Sequence, residues 1–79
     1  STKRKYKQAI IWLMETKKIN PQNFYYPNLR QKLASENKDY TIAIEAAKRA
    51  ISIADKEKMK KTIDSLNNKI SDWEILLKK

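Results

Sequence analysis

The seventeen residues from Asp39 to Asp55, DYTIAIEAAKRAISIAD, constrain the fold more than any other stretch of this chain. Tyr40, Ala43, Ile44, Ala47, Ala50, Ile51 and Ala54 follow one another at steps of three, one, three, three, one and three residues. At 3.6 residues per turn those positions fall on one face of a helix. Four of the seven are alanine. A helix faced with alanine admits a close neighbour, because the distance between packed helices is set by the side chains at their contact. The chain is therefore expected to fold as tightly packed helical hairpins.

The same pattern occurs 34 residues earlier, in Lys5 to Pro21, KYKQAIIWLMETKKINP. Tyr6 aligns with Tyr40, Ala9 with Ala43, Ile10 with Ile44, Thr16 with Ala50, Ile19 with Ile53 and Pro21 with Asp55. The register continues downstream, where Tyr25 aligns with Met59 and Leu29 with Ile63. An aromatic residue, Ala-Ile three residues on, a small residue seven later and a period of 34 together resemble the second helix of a tetratricopeptide repeat (TPR). The resemblance covers roughly Lys5 to Leu66. It implies a half repeat over 5–20, a full helix-turn-helix repeat over 21–55 and a long terminal helix over 56–79. The chain departs from the family in having no glycine, so that Leu29 and Ile63 stand where helices cross at a small residue. It also places Pro27 inside a first helix.

The expected fold is all-α: one domain of about four helices, in antiparallel hairpins of TPR-like order. Helix one is expected over Lys5 to Lys18, preceded by a frayed basic terminus. Ile11, Trp12 and Met14 widen its apolar arc to most of the circumference, which implies a central place in the bundle or cover from another chain. Asn20-Pro21 is a helix-start signal, yet Pro27 opposes an uninterrupted helix. A turn is therefore expected over Pro21 to Tyr25, with a helix restarting at Pro27 and running to Glu36. Phe24, Tyr25 and Tyr26 cannot all face one side, so at least one ring belongs at the surface. Asn37 is expected to take the left-handed conformation that ends this helix, and Asp39 to cap the next.

A break is expected at Asp55, because Ala54 to Met59 is one residue too long for a continuous stripe. From Lys56 to Leu77 a heptad seam follows, formed by Met59, Ile63, Leu66, Ile70, Trp73 and Leu77. Ile75 and Leu76 lie off that seam. Its end either folds back over helix one or meets another subunit or a next repeat, and self-association through this C-terminal helix is an expectation of the second reading.

The chemistry open to the chain is narrow. It has neither cysteine nor histidine, so disulfides, thiolate metal sites, an imidazole base and the usual zinc ligand sets are all unavailable. Without glycine there is no Gly-rich phosphate loop. The serines have no histidine to activate them. No enzyme, no cofactor and no metal are expected. The lack of cysteine fits a reducing, cytoplasmic setting, and no apolar run is long enough to span a bilayer.

Eighteen basic residues against nine acidic ones give a net charge of +9, which favours an anionic partner. Two partner classes follow. The first is an acidic protein or peptide. The TPR resemblance implies a groove lined by first helices, with Tyr26, Arg30 and Leu33, then Lys60, Asp64 and Asn67, facing it. Trp73 and Leu77 join them as anchors on the terminal seam. The alternative is nucleic acid, held by a non-specific phosphate surface of Lys3, Arg4, Lys5, Lys7, Lys48 and Arg49. Leu33, Ala34, Ile44 and Ala47 also have spacings compatible with a helix-turn-helix, the third helix being the reader.

Overall fold

The computed structural model describes residues 2–19 and 23–79. Among them are four helices and no strand: α1 (Thr2–Ile19), α2 (Tyr25–Glu36), α3 (Tyr40–Ile53) and α4 (Lys60–Lys78). Each helix packs on its neighbours in sequence: α1 on α2, α2 on α3, and α3 on α4. Among the described residues α4 does not return to α1. The result is a thin slab of 39 × 36 × 14 Å, an all-α bundle laid out as an open row.

The central element is α3, not helix one. Its Ala43, Ala46, Ala47 and Ala50 are fully buried, because α2 covers one side and α4 the other. Ala34 of α2 meets this alanine seam, and Leu66, Ile70 and Trp73 of α4 complete the core. The predicted stripe of α3 is thus its buried face, with Ala46 added. Helix α1 lies at the edge of the row instead. It buries Ile10 and Leu13 and leaves Ile11, Trp12 and Met14 exposed.

The N-terminal basic residues are helical. Thr2 to Lys7 continue α1, where a frayed arm was expected. Helix α2 begins at Tyr25, two residues before Pro27. Proline is tolerated there because the N–H groups of a helix's first turn have no partner within the helix. The first bond of the ladder belongs to Asn28, whose N–H donates to the Phe24 carbonyl. The Tyr25 N–H is satisfied from outside by Asn23 Oδ1, at 2.8 Å. The start signal at Asn20-Pro21 lies outside the described residues.

The turn between α2 and α3 closes differently from expectation. Lys38, not Asn37, takes the left-handed conformation, with φ 60°. The Asp39 N–H donates to the Ala34 carbonyl and the Lys38 N–H to the Ser35 carbonyl, the paired bonds of a Schellman ending. Asn37 contributes its side chain, whose Nδ2 donates to the Leu33 carbonyl. Asp39 then caps α3 as expected, accepting a long 3.5 Å bond from the Ile42 N–H. The break after α3 is also present. Asp55 Oδ1 accepts from the N–H groups of Glu57 and Lys58, capping one separate turn. Only after that turn does α4 begin, at Lys60 rather than Lys56.

Candidate functional site

An open groove of about 700 Å³ lies between α1 and α3, across α2. From α1 come Ile11, Met14, Glu15 and Lys18, at i, i+3, i+4 and i+7, together with Leu13. From α2 come Tyr26, Pro27 and Arg30, with Asn23 just before the helix, and from α3 come Glu45 and Arg49. The four spaced α1 positions share one helix face, and side chains of three helices meet in one trough. Its lining is mainly apolar, with five charged side chains among the residues that form it. Lys18, Arg30 and Arg49 supply positive charge and Glu15 and Glu45 negative charge.

A smaller hollow of about 320 Å³ adjoins it through Ile11 and is lined by Tyr6, Lys7, Ile10, Asp39 and Ile42. Lys7, Ile11, Met14 and Lys18 therefore mark the trough along α1. Eleven residues at about 1.5 Å each make a run of roughly 16 Å, or three helical turns.

Two features set the groove's chemistry. Trp12 and Tyr26 meet edge to face, with ring centroids 5.7 Å apart and planes at 81°. Tyr25 meets Tyr26 in the same manner, also at 5.7 Å. Tyr26 thus contacts two other rings and also lines the groove. The second feature is Arg30, whose Nε is buried with no hydrogen-bond acceptor among the described residues. That donor is enclosed by the protein, while Arg30 as a residue lines the groove, and a guanidinium there can hold a carboxylate.

The structure distributes the anticipated site residues unevenly. Tyr26 and Arg30 are together in the groove, and Arg49, expected on a phosphate surface, joins them there. Leu33 is half-buried, while Lys60, Asp64 and Asn67 are exposed on α4, away from this trough. Trp73 is a core residue, 8% exposed, and so is withdrawn from any partner. Leu77 is exposed with its neighbours Ile75 and Leu76, and among the described residues there is no fold-back over helix one. Lys3, Arg4, Lys5 and Lys7 are exposed on the first two turns of α1. At 100° per residue they spread over about 200° of the helix circumference rather than forming one narrow face. Lys48 is exposed on α3. Flanked by α2 and α4, α3 shows to solvent only Thr41, Glu45, Lys48 and Ser52. A helix so enclosed offers little to a DNA groove.

Ile11, Met14 and Glu15 were not anticipated as groove residues. Their apolar width on helix one was legible, but which neighbour they flanked depended on α1 lying at the edge. Among the described residues no three Asp, Glu, His or Cys side chains cluster as a metal site. No described helix is long and apolar enough to cross a membrane. No family model, no curated protein and no solved structure matches this chain.

Proposed function

We propose that this chain is a non-catalytic interaction module, whose α1–α3 groove takes an apolar segment of a protein partner bearing acidic residues. One observation carries the reading: side chains of three helices line one mainly apolar trough, which with the smaller hollow runs about three turns along α1, and Arg30 and Arg49 stand in its lining. An amphipathic helix lying in such a trough would set side chains at i, i+3, i+4 and i+7 against Ile11, Met14 and Tyr26. Its carboxylates would meet Arg30 and Arg49. The TPR resemblance supports the same mode of use, since that family lays peptides along helical grooves. Here the trough draws on α1 and α3 as well as on α2, so Lys60, Asp64 and Asn67 have no part in it.

Display selection of random helical peptides against the whole chain tests the proposal. Enriched sequences should carry apolar residues at helical spacing with flanking Asp or Glu. Met14→Asp should weaken their binding by about tenfold or more, the effect of losing roughly 1.4 kcal/mol at an anchor. Raising the salt should weaken binding only modestly. Peptides that bind wild type and Met14→Asp equally would remove the groove from the reading. Duplex or single-stranded nucleic acid that binds with a steep salt slope, against no peptide enrichment, would replace it with the phosphate-surface alternative.

A further inference from the structure

We propose that the groove's occupant is the last turn of α4 from a second copy of this chain, so that the protein associates head to tail. This rests on the groove reading above and names its partner. Three observations point to this segment. Ile75, Leu76 and Leu77 are 57%, 42% and 51% exposed, a contiguous apolar end that its own chain leaves uncovered. The charges around it run in order: Asp72 and Glu74 before the apolar triplet, Lys78 and Lys79 after it. The groove carries the opposite charges, with Arg30, Arg49 and Lys18 for the acids and Glu15 and Glu45 for the lysines. Finally, α4 and α1 lie at opposite ends of the row and do not touch among the described residues. A chain therefore cannot fill its own groove without breaking the α3–α4 packing, whereas a second copy can.

Such a contact joins two different surfaces, so it is heterologous and leaves one free groove and one free α4 end on every dimer. Association then continues with concentration instead of stopping at a symmetric pair. The arrangement predicts a complementation that no symmetric interface shows. Met14→Asp blocks the groove and keeps the α4 end. Leu77→Asp blocks the end and keeps the groove. Each alone is monomeric, and an equimolar mixture forms one-to-one dimers, each made of an intact groove and an intact end.

Sedimentation equilibrium on the full chain at rising concentration decides the matter, with circular dichroism establishing that both variants keep their helix content. Expected is a wild-type mass that climbs with concentration, monomeric single variants, and a dimer restored on mixing. A wild type that stays monomeric at millimolar concentration overturns the proposal. So does a wild type whose association survives both substitutions, or a mixture that remains monomeric. If association fails while display-selected peptides still bind the groove, only the identity of the occupant is lost. If neither binds, the groove reading falls with it.

Discussion

Tyr6 of α1 donates its hydroxyl hydrogen bond to Asp39 Oδ2 at 3.1 Å, across 33 residues of chain. The same aspartate ends α2 through its N–H and caps α3 through Oδ1. One side chain and its backbone thus tie three helices at a single corner, beside the smaller hollow. Tyr6→Phe removes only the hydroxyl and should cost about 0.5–1.5 kcal/mol, the usual net value of one hydrogen bond or slightly more for a charged acceptor. The bond also gives stability a pH signature. Burial, then the hydrogen bond and charge of Asp39, push the Tyr6 phenol up from its ordinary 10.0 to about 12, against the opposing charge of Arg30. The folded chain holds this proton more tightly than the unfolded one. The contribution is therefore complete below pH 10 and lost as pH rises through about 12. Denaturant unfolding should show a constant gap between wild type and Tyr6→Phe up to pH 10, closing above it.

Lys38 marks a place where the chain tolerates strain. Its φ of 60° is left-handed, and a lysine side chain is disfavoured there. The Schellman bonds around it need that conformation, which glycine adopts without penalty. Lys38→Gly should stabilise the fold by about 1 kcal/mol, raising the melting temperature by roughly 4–8 °C. Lys38→Val should move it the other way, because a β-branched residue is poorly accommodated at positive φ. Thermal melts of the two variants give opposite signs if the turn is built this way.

These two corners also show what the sequence could and could not reveal. The alanine face of α3, the cap at Asp39, the break at Asp55 and the seam through Leu66, Ile70 and Trp73 all arise from local spacing, and local spacing is legible. Which helix is central is not local. Ile11, Trp12 and Met14 made helix one look enclosed, yet the short alanines of α3 drew α2 and α4 around it and left α1 at the edge. Pro27 misplaced the start of α2, because whether a proline breaks a helix depends on where its first turn begins. The groove itself depends on α1 and α3 standing either side of α2. Only its parts, Tyr26 and Arg30, could be named in advance, and Arg49 was assigned to another surface.

The alanine seam makes its own prediction. Ala34 meets Ala43 and Ala47 in a core that exposes none of the three. Nothing there has room for three more carbons. Ala47→Leu should destabilise by about 1–3 kcal/mol through forced rotamers and displaced helices, although leucine is as good a helix former as the position otherwise needs. Ala47→Ser, close in volume, leaves the helices in place but buries a hydroxyl and should cost less. Urea midpoints for both variants test whether close approach, rather than helix propensity, holds α2 to α3.

The two tryptophans should behave as opposites. Trp73 is buried with Leu66 and Ile70 in the central cluster, and Trp73→Ala should cost about 3–5 kcal/mol. At roughly 0.1 kcal/mol per residue the whole chain holds about 8 kcal/mol, so that loss removes about half of its stability. Trp12 is 51% exposed and touches Tyr26 by its edge. Trp12→Ala should cost about 0.5–1.5 kcal/mol, the value of one aromatic pair, and leave helix content unchanged. Acrylamide should quench Trp12 readily and Trp73 poorly, which Trp12→Phe separates by leaving only the buried indole. Because Tyr26 joins Trp12 to the groove, filling that groove should shift the emission of wild type and not that of Trp12→Phe. An equal shift in both would place the bound segment against the α3–α4 core instead, away from Met14 and Arg30.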